Sequence, residues 1–223
     1  MPDAGTGRQR AVFFIDGANI YRGFKSHEID SNTFDLRLLA ESLAGPARSV
    51  QEIRYYTGRV QREGDERIFR QYQRLLTTLN AQGVTVRLGR VEPRSEDNAL
   101  ADKLMRFLGA PRAPEKRLPA EVYDALVSMA IQHRRVTYWI QKAVDTLLVC
   151  DLARMAFEDK YDVAYVLSLD GDMTPGIEFA RSLGKTVFGA GPEGPNYQVK
   201  QACNLFIVID EQRLATCYLP EDF

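Results

Sequence analysis

Ala11-Val-Phe-Phe-Ile-Asp16-Gly-Ala-Asn19 is a run of five apolar residues that stops at a carboxylate, and Val163-Ala-Tyr-Val-Leu-Ser168-Leu-Asp170-Gly-Asp172 repeats the arrangement. A short, unbroken apolar run bounded by turn residues is the pattern of a strand buried on both faces, as in a parallel sheet covered by helices. In such a sheet the carboxyl ends of the strands share one edge, and ligands bind there where the strand order reverses. Two acid-bearing strand ends far apart in sequence are thereby expected to meet.

The intervening chain supports that reading. Leu36 to Leu39 begins a helical pattern ended by Gly45-Pro46, and Val50 to Tyr56 reads as a second strand. Ile68, Phe69, Tyr72, Leu75, Leu76 and Leu79 mark one face of a helix stopped by Gly83, and Val84 to Leu88 follows as a strand. This β-α-β-α-β rhythm implies right-handed crossovers and a parallel sheet with helices on both faces. Two helical patterns, around 99–108 and 120–133, then interrupt it, so 93–135 reads as a helical insertion. Val136 to Ile140 is expected as a short strand and Val144 to Phe157 as a helix with Asp145 in its first turn. A further helix begins at Thr174-Pro175, with Thr174 expected as N-cap and Pro175 at the first position, and ends at Gly184. Strands at 186–188 and 205–209 complete the set.

With 223 residues, 45% hydrophobic and 26% charged, the chain has the composition of a globular protein. No apolar stretch approaches a membrane span. The three cysteines fall in no CxxC and suggest neither a disulfide framework nor a zinc knuckle, so a cytoplasmic setting is expected. Net charge is −1, but between residues 48 and 94 ten arginines face five acids. An acidic centre with a basic rim produces such a balance. Arg67, Arg70 and Arg74 share one helix side and are read as a solvated face able to meet an RNA backbone. Tyr55, Tyr56 and Trp139 lie in strand-like runs and are read as core.

Taken singly, each acid has a structural explanation: Asp16-Gly17 as a turn, Asp145 as a partner of the helix dipole, Asp170-Gly-Asp172 as a tight loop. Jointly, Asp16, Asp145, Asp170 and Asp172 reach one sheet edge from three chain segments. Clustered like charges raise one another's pKa unless a cation joins them, and Mg²⁺ takes oxygen ligands. Asn19 is placed either to orient Asp16 or a metal-bound water, or to cap the next turn. Ser168 either meets a phosphate or locks the acidic loop, and Lys142 offers a phosphate contact. The helix N-termini at Asp145 and Thr174 also favour anions. Other motifs fail on context. Gly189-Ala-Gly191-Pro-Glu-Gly194 carries prolines where a pyrophosphate cradle needs donors. Gly184-Lys185-Thr186 has Phe179 where a P-loop needs its first glycine, and two histidines give poor support to a Ser-His mechanism. Asp170-Gly-Asp172-Met-Thr174 fits a DxDxT phosphatase nucleophile, but too little chain follows it to complete such a fold.

The set Phe-Phe-Ile-Asp16-Gly-Ala-Asn19, Lys142-Ala-Val-Asp145 with Asp151, and Ser168-Leu-Asp170-Gly-Asp172 resembles the NYN domain of the PIN-like nuclease superfamily, LabA-like branch. The resemblance extends to Tyr-Tyr-Thr57-Gly58, Gly184-Lys185 and the final Leu205 to Asp210 strand. It implies an α/β fold, a PIN-like three-layer α/β/α sandwich with a central mainly parallel sheet, carrying here a helical insertion. It also implies Mg²⁺- or Mn²⁺-dependent RNA hydrolysis leaving 5'-phosphate and 3'-hydroxyl ends, with Asp16, Asp145, Asp170 and Asp172 as catalytic metal-holding residues and Asn19, Ser168 and Lys142 toward the substrate. DNA is not excluded as substrate, no membrane is involved, and a protein partner or homodimer stays open. Leu169 replaces the glycine usual in the family's acidic loop, and 93–135 is longer than in compact members. Both keep a second reading in play, a catalytically weak or inactive regulatory module binding RNA or a protein. Asp151 lies about 120° around the helix from Asp145 and is left out of the catalytic set. The expected organisation is a flexible tail at 1–10, the domain at 11–210 with its insertion at 93–135, and a C-terminal tail at 211–223.

Overall fold

A computed structural model describes residues 7–24, 34–60, 66–111, 117–194 and 197–218. Of the expected tails, 1–6 and 219–223 lie outside the described residues. The first strand, β1 (Gln9–Asp16), pairs in parallel with β2 (Arg48–Gly58) on one side and with β5 (Val163–Leu167) on the other. Beyond β2 lies β3 (Thr85–Asp97), then β4 (Arg135–Lys142) at the edge; beyond β5 lie β6 (Thr186–Gly191) and β7 (Leu205–Val208). The strand order is β4-β3-β2-β1-β5-β6-β7, so the chain leaves β1 in one direction and returns on its other side at β5. The reversal of strand order falls between the two acid-terminated runs.

The unbroken apolar run of β1 follows from burial on both faces. Ala11, Phe13 and Ile15 pack in one cluster with Leu36, Leu39, Ala40 and Leu43 of α2 (Leu36–Ala44). Val12 and Phe14 pack on the opposite face with Leu148, Leu152 and Met155 of α6 (Val144–Phe157) and Ile177 and Ala180 of α7 (Thr174–Ser182). Phe13 stacks on Tyr165 of β5 with ring centroids 4.3 Å apart, tying the central pair side by side. Helix, sheet and helix make three layers. Asp35 caps α2 by accepting from the N–H groups of Arg37 and Leu38, and Gly45, at φ +62°, ends it.

Several boundaries differ from the sequence reading. β3 runs to Asp97, nine residues beyond the expected Leu88, because its polar far half is exposed and lacks the apolar signature of a buried strand. Ile68, assigned to the apolar stripe of α3 (Glu66–Ala81), is 52% exposed. The segment expected as a C-terminal tail forms α9 (Glu211–Ala215), capped by Asp210, with Leu214 and Cys217 buried. Two more short helices, α1 (Gly17–Phe24) and α8 (Tyr197–Ala202), carry too few periodic residues to be read. Residues 91–140 form a separate compact unit containing α4 (Ala99–Gly109) and α5 (Ala120–Gln132). Among the described residues no helix is long and apolar enough to cross a membrane.

Candidate active site

Asp16 is the last residue of β1 and Ser168 the first beyond β5, and because Ile15 is paired with Leu167 the two lie side by side past the strand ends. Asp16 is 4% exposed. A buried carboxylate needs donors to hold its orientation, and two are present. The Asn19 N–H donates to Asp16 Oδ1 at 3.1 Å and Ser168 Oγ donates to Oδ2 at 3.2 Å. Ser168 Oγ in turn accepts from the N–H of Asp170 at 3.1 Å, while Asn19 Oδ1 accepts from the N–H of Leu169 at 2.9 Å. Asn19 and Ser168 therefore lock the 168–170 loop to the end of β1. Ser168 has no exposed surface, so of its two readings the geometry takes the lock rather than the phosphate contact.

The acidic loop then closes on itself. Asp170 Oδ1 accepts from the N–H of Asp172 at 3.0 Å, capping a 3-10 turn at Gly171–Met173 that runs directly into α7. Thr174 is thus not the N-cap expected from the sequence. The helical stretch starts earlier, and Asp170 rather than Thr174 occupies the anion-favouring end. Leu169 rests against the glycine-rich loop after β6: a Cβ on Gly191 would lie 2.8 Å from Leu169 Cδ2. The absence of a side chain at Gly191 accommodates that of Leu169.

Asp145 arrives from the other side, one residue into α6. Its position depends on two backbone devices. Ala143, preceding the helix, adopts the left-handed conformation at φ +65°. Gly89 of β3 allows close approach, since a Cβ there would sit 2.7 Å from the Lys142 carbonyl oxygen and 2.6 Å from Val144 Cγ2. A backbone oxygen cannot swing away as a side-chain tip can, so Gly89→Ala must displace the 142–145 turn. Overpacking of this kind costs about 1–3 kcal/mol. We expect Gly89→Ala to lower the thermal midpoint and to impair every function that depends on Asp145, measured by thermal unfolding alongside the assay below.

Electrostatics join the four acids. Burial pushes the Asp16 carboxyl above the usual carboxylate range, and Asp145 and Asp170 push it further, against the hydrogen bonds from Asn19 and Ser168. Asp145 is also raised, by crowding of protein atoms around it, then by Asp170 and Asp172, with Arg22 of α1 opposing. Each of the four thus feels or contributes to the field of another. Asp145 and Asp172 keep exposed surface. Among the described residues no three His, Cys, Asp or Glu side chains gather tightly enough to encircle an ion in this arrangement. The donor set is nevertheless all oxygen, the preference of Mg²⁺ and Mn²⁺, and exposed aspartates have alternative rotamers available. Lys142 closes β4, three residues before Asp145, and is exposed. Beside Asp172 an open trough of about 500 Å³ is lined by Glu178, Arg181, Gln198 and Gln201 among others.

Sequence reasoning left Asp151 unassigned. It is 4% exposed, and its Oδ2 accepts from Arg54 Nη1 at 2.9 Å, Tyr56 OH at 3.0 Å and Arg87 Nε at 3.1 Å, while Oδ1 accepts from Arg154 Nη2 at 3.1 Å. This clasp ties α6 to β2 and β3. Two of the ten arginines counted toward a basic rim, Arg54 and Arg87, are instead turned toward Asp151. On α3, Arg70 pairs with Glu66, whereas Arg62 lies outside the described residues. Tyr55 and Tyr56 are buried as core residues; the side chain of Trp139 lies outside those described.

Fold and site together define an α/β/α protein with acids converging on its topological switch point. Residues 103–210 match the family model of the NYN domain, a family of the PIN-like superfamily, and the seven-stranded, mostly parallel α/β sheet is consistent with a PIN-like sandwich. The matched stretch includes Lys142, Asp145, Ser168, Asp170 and Asp172; Asp16 and Asn19 lie outside it and join the site through the pairing of β1 with β5. Among solved structures, a protein of unknown function from Vibrio parahaemolyticus is similar over 98% of this chain and 100% of its own, with 15% identity and a TM-score of 0.53, which concerns the fold alone. No curated protein matches the chain.

Proposed function

We propose that the protein is a metal-dependent ribonuclease that hydrolyses RNA phosphodiester bonds at the β1/β5 switch point, and that Asp16, Asp145, Asp170 and Asp172 hold Mg²⁺ or Mn²⁺. The observation that carries this reading is the convergence of three chain segments on Asp16, whose carboxyl is raised first by burial and then by the charges of Asp145 and Asp170. Such mutual repulsion costs stability and is relieved when a cation neutralises the group. The bound ion would supply a more acidic water and offset charge on the phosphoryl oxygens. The chain's own residues do the rest. Asn19 and Ser168 fix the Asp16 carboxylate, Asp170 holds the loop that carries Asp172, and Arg22 tempers the field at Asp145. Lys142 stands at the same edge as a phosphate contact, and the trough beside Asp172 has room for a nucleotide. The assignment to the LabA-like branch belongs to this same reading.

End-labelled RNA and matched DNA incubated with wild-type protein and with Asp170→Asn, in Mg²⁺, Mn²⁺ or EDTA, test it. The expected result is cleavage of RNA by wild type alone, abolished by EDTA, with 5'-phosphate and 3'-hydroxyl ends. Products ending in 2',3'-cyclic phosphate would contradict the mechanism. A second reading, a regulatory module that binds RNA or a protein without turnover, draws on Leu169, which anchors the acidic loop on Gly191. It requires intact substrate in every lane and RNA binding that survives Asp170→Asn.

A further inference from the structure

Nine of the seventeen large exposed hydrophobics among the described residues lie in the unit 91–140. Helix α5 makes the imbalance plain: its sequence AEVYDALVSMAIQ is apolar at nine of thirteen positions, yet Ala130 is its one buried residue. A helix this apolar is normally covered.

Four of these nine, Leu100, Phe107, Val122 and Met129, fall on two helical stripes together with half-buried Leu104 and Leu126. On α5, Val122, Ala125, Leu126 and Met129 follow the i, i+3, i+4, i+7 spacing, with Val122 45% and Met129 55% exposed. On α4, Leu100, Leu104 and Phe107 follow i, i+4, i+7, with Leu100 73% exposed. The two helices are antiparallel, since the N–H of Asn98, the N-cap of α4, donates to the carbonyl of Arg134, just past α5, at 2.7 Å. At about 100° per residue, the α4 stripe lies roughly a quarter turn from buried Ala101 and Leu108, and the α5 stripe a quarter turn from buried Ala130, in the same rotational sense. In antiparallel helices that places both stripes on one side of the pair.

Charge indicates what covers this face. Turning further in the same direction brings up exposed Lys103 and Arg106 on α4, and exposed Glu121 and Asp124 on α5. One edge of the apolar face is basic and the other acidic. A two-fold axis lying in this face and running along the helices sets each basic edge against the partner's acidic edge in an isologous interface. We propose that the α4–α5 face docks on the same face of a second copy of this chain, forming an intermolecular four-helix bundle.

Sedimentation equilibrium of the full chain at tens of micromolar tests the proposal, whether or not the protein is a nuclease. The wild type is expected at twice its 25.2 kDa mass. Lys103→Glu with Arg106→Glu sets acid against acid and is expected to weaken the dimer roughly tenfold or more. Glu121→Lys with Asp124→Lys does the same with basic charge, and all four together restore association, which a merely misfolded variant would not do. A monomeric wild type would overturn the proposal and leave the face to a different partner. A dimer indifferent to both charge reversals, or not restored by their combination, would overturn it as well.

Discussion

Asp145→Asn is expected to lower metal-dependent RNA cleavage by roughly 100-fold or more while raising the thermal midpoint. The two effects have one origin. Asp145 stands among Asp170 and Asp172, and its folded-state pKa lies above that of the unfolded chain. A carboxyl raised in this way loses stability as pH rises from the ordinary carboxylate range through its folded value, and at neutral pH the whole penalty is present. Asparagine keeps the size and removes the charge, so the fold relaxes as the site fails. Asp145 is exposed enough that the gain should be modest. Parallel thermal melts and cleavage rates check the sign. A variant that loses activity together with stability would assign Asp145 to the scaffold instead.

Asp151 gives the opposite pattern and the largest stability effect. Asp151→Ala removes the acceptor of Arg54, Arg87, Arg154 and Tyr56 at once, and of these Arg54 and Tyr56 are left buried without it. Breaking a buried pair by removing one partner costs about 3–5 kcal/mol. Burial raises the Asp151 pKa, but the hydrogen bonds from Arg154 and Tyr56 and the charges of Arg54 and Arg87 outweigh it and hold the carboxyl below its ordinary value. The sign therefore reverses: the contribution is fully present above the unfolded carboxylate value and is lost as pH falls through the lower folded one. Urea unfolding at neutral and acidic pH should show the gap between wild type and variant narrowing in acid. In contrast to Asp145→Asn, whatever Asp151→Ala remains folded should cleave RNA at a near wild-type rate.

These two aspartates show what the sequence made legible and what it hid. Asp16, Asp145 and Asp170 follow or begin recognisable elements, so the end of an apolar run or the start of a helix was enough to place them at one sheet edge. The central strands β1 and β5 were readable because burial on both faces leaves unbroken apolar runs. Asp151 sits mid-helix, one turn and more beyond Asp145, and its partners come from strands about 64 and 97 residues away. No local pattern marks a carboxylate whose donors are assembled by the sheet. The same holds for Arg54 and Arg87, whose number suggested a basic rim until the fold turned them toward Asp151. The polar half of β3 and the short α9 were missed for a related reason: the former is too exposed, and the latter too brief, to leave a period. Ser168 was placed near the site, but its choice between ligand contact and lock depended on its complete burial.

The switch-point acids are expected to bind a divalent ion. Calorimetric titration of Mn²⁺ into wild-type protein and into Asp145→Asn tests it without reference to any substrate. The expected result is saturable binding to the wild type, weakened at least tenfold in the variant, whose fold is intact. Equal binding by both proteins, or none by the wild type at millimolar Mn²⁺, would contradict the account.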